Sequence, residues 1–245
     1  MSLTMTYTRR YLVEMIRTPV MFLSITMTPV AVMLFFFIPF VGSDATMMTA
    51  TVGTMMVFAV LLGCVGHFAT TVSATRESTW GTYLRTLPGG LAPEITANLL
   101  TGLAMVTAAI VPVVAVAAIF TAATASIGQV LLAAVALLAT VVTFTLMGLA
   151  LGYLLTFRAA LIVATVGALP LAVAGGMFFD PAEVPALIAT IAPFVPTRGA
   201  TDLVLFALMG QPPDALALVL LVVWTVVFAA LLVRGHRRDE GRRFR

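Results

Sequence analysis

Six times along this chain an apolar run passes without a charged side chain for about the 20 residues that a helix needs to cross a hydrocarbon core about 30 Å thick. The runs are Met21 to Val41, Met47 to Thr71, Ile95 to Phe120, Ile127 to Phe157, Ala159 to Phe179 and Ala215 to Val233. Backbone in lipid must satisfy its own hydrogen bonds, so each run is expected to be helical. The fourth is longer than a bilayer requires and is expected to tilt or to project beyond it. Composition agrees: 61% of residues are hydrophobic, 9% are charged, and the mean hydropathy is +1.12, outside the range of soluble domains.

The charge that remains speaks of orientation. A net charge of +3 could suit nucleic acid, but the basic residues sit at the ends of the runs and form no patch. All thirteen are arginine, a usage that, with abundant Ala and Val, suggests a GC-rich bacterial genome. Threading the six runs puts every arginine except Arg198 on one side. The other side carries Asp44, Asp180, Glu183, Asp202 and Asp214. Because basic residues resist translocation, the arginine side is read as cytoplasmic, with both termini on it. No cleavable leader is expected, since Arg9, Arg10, Glu14 and Arg17 precede a run long enough to span.

Four stretches outside the runs carry further pattern. In the leader, residues 1–20, Tyr11, Leu12, Met15 and Ile16 share one helical face and Arg10, Glu14 and Arg17 another. That suits a helix lying in the membrane interface, although a basic tail that only fixes topology fits the same residues. In residues 72–94, Trp80, Tyr83, Leu84 and Leu87 recur at helical spacing beside Arg76, Glu77 and Arg85, and Pro88, Gly89, Gly90 and Pro93 close the helix. Periodicity leaves open whether this short amphipathic helix rests on headgroups or meets a partner. Residues 180–213 are too apolar for an ordinary loop yet are cut by Pro181, Pro185, Pro193, Pro196, Pro212 and Pro213. Glu183 to Ala192 and Thr197 to Met209 read as half-helices that enter the outer leaflet and return, with a surface hairpin as the other reading. Residues 234–245 form a basic tail, expected to be disordered or drawn to anionic lipid.

Soluble-enzyme chemistry finds no support. His67 and His236 are the only histidines and Cys64 the only cysteine, so neither a metal site, a catalytic triad nor a disulfide is expected. His67 is read as a packing residue. No Asp, Glu or Arg lies inside a run, which argues against an ion-coupled carrier. The hydroxyls of Thr26, Thr28, Thr51 and Thr54 are read as bonds between helices. A P-loop requires a lysine, and this chain has none, so ATP hydrolysis is expected only on another protein. Ala160, Ala164, Ala168, Ala172 and Gly176 recur every fourth residue, a small-residue stripe read as the contact with a second subunit. Gly148 and Gly152 form a GxxxG pair open to the same reading.

Arg76-Glu77 followed by Gly81-Thr82, Leu84, Leu87 and Pro88 is similar to the cytoplasmic loop after the second span in the permease subunits of ABC-2 type exporters. Gly176-Met177-Phe178-Phe179-Asp180-Pro181, then Val184-Pro185, Ile191-Ala192-Pro193 and Pro196, resembles the outer re-entrant region of the same family. In order and placement the resemblance covers nearly the whole chain. It implies an all-α polytopic membrane protein of one domain, residues 1–245: six transmembrane helices, an N-terminal interfacial helix with Arg10, Tyr11, Glu14 and Met15, a cytoplasmic coupling helix, and an outer re-entrant pair before the last span. It further implies that Arg76, Glu77, Trp80, Tyr83, Leu84, Arg85 and Leu87 dock on a nucleotide-binding ATPase subunit. Two such subunits would serve two permease copies, or this chain and a homologous one, in a bacterial cytoplasmic membrane. ATP and magnesium would be bound by the ATPase and no cofactor by this chain. With only four Tyr and two Trp to stack on sugars, the implied cargo is drug-like or lipid, on a path along Phe22, Thr26, Thr51, Met55, Phe58 and Met177. The alternatives are an ATP-independent carrier or channel, and a membrane assembly factor without transport.

Overall fold

The structure, a computed structural model, describes residues 3–17, 19–41, 44–78, 91–179 and 184–241. Every regular element among them is helical: α1 (Leu3–Arg17), α2 (residues 19–41), α3 (Ala45–Glu77), α4 (Leu91–Phe120), α5 (Ile127–Leu154), α6 (Phe157–Ala174), α7 (Ala186–Phe194), α8 (Pro196–Met209) and α9 (Ala215–Gly241). Helices α3, α4, α5, α6 and α9 are each long and apolar enough to cross a bilayer, and α7 and α8, bent by 89° at their junction, pass the same test together. The chain is an all-α polytopic membrane protein. The first expected span falls on α2, whose shorter apolar stretch is Thr26–Phe40.

One helix is the core of the bundle. In α3, 83% of the most apolar window is buried inside the protein, against 22% to 39% in the other four long helices. Helices α2, α4, α5, α6 and α8 all pack on it. Its sequence allows this because small residues bring backbones close and its buried hydroxyls are satisfied internally. Thr49, Thr51, Thr54, Thr70 and Ser73 each donate to the carbonyl four residues earlier, at 2.7 to 3.0 Å. The expectation that Thr51 and Thr54 bond across helices is thus corrected: both serve their own helix, and Thr26 Oγ1 also donates to Leu23 O of its own helix at 3.3 Å. A hydroxyl pair does link helices elsewhere, between Thr143 of α5 and Thr225 of α9 at 2.7 Å.

The crossing of α3 and α5 is close. At Leu62–Gly66 α3 widens into a π turn, and the Cys64 carbonyl faces Gly148 so closely that a Cβ there would stand 2.6 Å from it. One turn on, a Cβ at Gly152 would meet Val72 Cβ at 2.7 Å. The GxxxG pair therefore belongs to packing within the chain.

The same holds for the alanine stripe. Ala160, Ala164, Ala168 and Ala172 are at most 4% exposed, with Ala160 and Ala164 packed against Ala69 of α3. Gly176 lies beyond the helix in a left-handed turn, φ +79°. A stripe already covered by its own chain is not an open subunit contact, which corrects that reading. The exposed face of α6 carries Ile162, Val166 and Leu169 instead.

Two helix ends also differ from expectation. α5 stops at Leu154 because Leu155 is extended and Thr156 caps α6, its Oγ1 accepting from Ala159 N; it does not project as one helix through Phe157. Residues 234–241 of the tail continue α9 as helix, which corrects the expectation of disorder for them, and residues 242–245 lie outside the described residues. Helix α1 forms as expected and packs against α4.

We expect Gly148→Ala and Gly152→Ala each to cost about 1–3 kcal/mol through overpacking, read as a lower melting midpoint of the purified protein in detergent. Gly128→Ala, at an exposed position with only Ser126 Oγ nearby at 4.0 Å, should leave the midpoint unchanged.

Candidate functional site

The ends of the bundle gather different chemistry. At one end lie Arg76, Arg158 and Arg234; at the other lie Asp44, Arg198, Asp202 and Asp214.

At the arginine-rich end the Arg76-Glu77 dipeptide closes α3 and straddles the α5–α6 junction. Arg76 Nη1 donates to Gly152 O at 2.6 Å and Leu155 O at 3.3 Å, taking carbonyls that the end of α5 leaves without helical partners. Glu77 Oε1 accepts from Phe157 N at 3.0 Å, satisfying an amide at the start of α6. A cation suits the negative end of a helix and an anion the positive end, so each charge also matches the helix dipole it faces. Arg76 Nε pairs with Asp239 of α9 at 3.3 Å, with side chains 17% and 8% exposed. The guanidinium carbon lies 5.7 Å from the centre of the Tyr153 ring, and that ring meets His236 edge-on at 5.4 Å. Gly235 lets α9 come this close, because a Cβ there would stand 2.8 Å from Tyr153 Cβ.

Arg76 and Glu77 were expected to face a docking partner; their described bonds turn inward and clamp the base of the loop. Trp80, Tyr83, Leu84, Arg85 and Leu87 lie outside the described residues. So do the side chains of Glu14 and Met15, whereas Arg10 and Tyr11 are partly buried on α1. Asp239, Tyr153 and His236 escaped the sequence reading. The one available signal was an acidic pair, Asp239-Glu240, within a run of arginines.

At the opposite end is a cavity of about 470 Å³ between α2, α3, the turn after α6, and α8. Phe36, Phe37, Phe40, Phe178, Phe179, Met47 and Met177 form its apolar walls. Thr51, Thr54, Thr201, Arg198, Asp202 and Gln211 supply the polar part. Of the expected path residues, Thr51 and Met177 line it. Phe58 is buried behind the wall, edge-on to Phe178 at 5.3 Å, and Met55 and Thr26 are buried elsewhere in the bundle. The side chain of Phe22 lies outside the described residues. Asp202 is buried and both its oxygens are engaged: Oδ1 pairs with Arg198 Nε at 3.0 Å and Oδ2 accepts from Asp214 N at 3.3 Å.

The corner between α7 and α8 is held by two side chains that satisfy backbone carbonyls. Trp224 Nε1 donates to Phe194 O at 2.9 Å, and Thr197 Oγ1 donates to Leu171 O at 2.9 Å. Broken backbone at membrane depth persists only where protein satisfies it.

A second cavity, about 480 Å³, lies between α3, α4 and α5 and is walled almost wholly by aliphatic side chains, among them Val106, Ile110, Ala133 and Leu137.

Arg76→Met should remove a cationic partner of buried Asp239 and the guanidinium bonds to Gly152 O and Leu155 O, costing about 3 kcal/mol. Trypsin cleavage at the exposed Arg237 and Arg238 should accelerate as α9 loosens; Arg76→Lys, which keeps charge but not the planar fork, should fall between.

Residues 2–209 match the protein family described as ABC-2 type transporter. No curated protein matches the chain.

Proposed function

Because this chain belongs to the ABC-2 type transporter family, and is thus a membrane-spanning permease component rather than a catalytic one, we propose that it moves a hydrophobic or amphipathic substrate, drug-like or lipid, outward across a bacterial cytoplasmic membrane. Its power comes from a separate nucleotide-binding ATPase, present in two copies beside two permeases. ATP and magnesium stay with that partner. Both termini and the arginine-rich end face the cytoplasm, a reading supported by the positions of twelve of the thirteen arginines.

The observation that carries the coupling is the clamp at the base of the loop. Residues 79–90 connect α3 to α4, and the Arg76-Glu77 pair ties their near end to α5, α6 and α9 together. A helix in this loop, bearing Trp80, Tyr83, Leu84, Arg85 and Leu87, sits in a groove of the ATPase and moves when nucleotide closes the two ATPases. The clamp passes that movement into three helices instead of one. Leader helix α1, resting on α4 at the far end of the loop, receives the same push.

Substrate class is supported by the walls of the 470 Å³ cavity, within the range of about 300–1,000 Å³ typical of small-molecule sites and built chiefly of phenylalanine and methionine.

The test is co-expression with an ATPase carrying a lysine-bearing P-loop. Wild type should co-purify with it, and Trp80→Ala/Leu84→Ala should lose at least about tenfold in complex recovery while the permease keeps its melting midpoint. Equal recovery of wild type and double variant would remove the loop helix as the docking element. Transport in liposomes that needs an ion gradient and no ATP would replace the proposal with a carrier.

A further inference from the structure

The polar part of the aromatic cavity is lopsided. Both oxygens of Asp202 are in use, one on Arg198 Nε and the other on the amide of Asp214. The two Nη groups of Arg198 make no hydrogen bond among the described residues, and its side chain is 33% exposed where it lines the cavity. Gly176, in its left-handed turn, keeps this head uncovered: a Cβ there would lie 3.6 Å from Nη1. A guanidinium pinned through Nε presents its remaining donors as a fixed fork, the geometry that matches carboxylate or phosphate. Around it stand Phe36, Phe37, Phe40, Phe178 and Phe179, which offer apolar area and no further charge. The hydroxyl of Thr51 is occupied on Met47 O, that of Thr54 on Ala50 O and that of Thr201 on Thr197 O, so they do not compete for the head.

We propose that this cavity binds an acidic amphiphile, with its phosphate or carboxylate on the Nη face of Arg198 and its apolar body between the phenylalanines. As a statement of what the permease carries, this rests on the export reading; as a binding site, it stands without an ATPase. Asp202 sets the position of Arg198 and, by neutralising most of its charge, lets an anion leave again.

The experiment uses the purified permease in nanodiscs of zwitterionic lipid, titrated with dodecyl phosphate, dodecyltrimethylammonium and inorganic phosphate, with empty nanodiscs as background. Dodecyl phosphate should bind saturably and at least about tenfold more tightly than either of the others, the factor expected for hydrogen bonds to a charged group. Arg198→Gln/Asp202→Asn, which removes both charges together, should erase that preference, and Arg198→Lys should keep part of it. Equal binding of the ammonium amphiphile, or an unchanged preference in the double variant, overturns the proposal. Inorganic phosphate binding as tightly as dodecyl phosphate overturns it too, since the walls would then contribute nothing. If the double variant does not fold, the order of the three probes on wild type still decides. Should the acid bind as stated while no ATPase responds to it, the export reading fails and the binding site remains.

Discussion

Everything in this bundle depends on how closely α3 and α5 approach. Lipid tails are as apolar as the side chains, so burying leucine between helices gains little; close van der Waals contact and satisfied polar groups must hold the structure. Gly148 and Gly152 supply the contact, one against the Cys64 carbonyl in the π turn and the other against Val72. That approach fixes the spacing at which Arg76, about four turns beyond the start of the π turn at about 3.6 residues per turn, reaches Gly152 O and Leu155 O. Had α3 and α5 been held apart by larger residues, the guanidinium would not reach the carbonyls of Gly152 and Leu155.

Charges in this protein therefore act at helix ends. Arg76 and Glu77 complete the α5–α6 junction, Asp44 caps α3 by accepting from Thr46 N and Met47 N, and Asp202 holds Asp214 just before α9. Each stands where a helix leaves backbone groups over, the places where a buried charge is least costly. The rule explains why the long runs are free of charge and why the few charged residues cluster at two levels of the bundle.

Five of the six expected spans were legible in the sequence because composition and length decide them in lipid, and the bent α7–α8 pair was legible because Pro193 and Pro196 leave a helix no straight course. What was not legible is which partner a small-residue pattern meets. The stripe from Ala160 to Ala172 and the pair Gly148/Gly152 read as close approach, which is correct, but spacing carries no information on whether the neighbour belongs to the same chain. The bonds of Arg76 and Glu77 were hidden for a related reason: a charged dipeptide at a loop base looks solvated in one dimension, and only the fold brings the α5–α6 junction beneath it. Asp239 was hidden by distance, as one of two adjacent acids more than 160 residues from Arg76 in the chain.

The two candidate sites are joined by one element. Met47, Thr51 and Thr54 line the aromatic cavity near the start of α3, and Arg76 and Glu77 clamp the loop at its end, about 40 Å apart at a rise of about 1.5 Å per residue. A helix this buried cannot bend freely, since every side is packed. It can yield at its π turn, where the hydrogen-bond ladder is already irregular. Under the proposed function, a push on the loop then reaches the cavity as a shift of a nearly rigid rod, with the Gly148 contact as its fulcrum. The glycine serves both ends of that argument: it permits the approach that locks the clamp, and it presents the smoothest surface over which α3 can move.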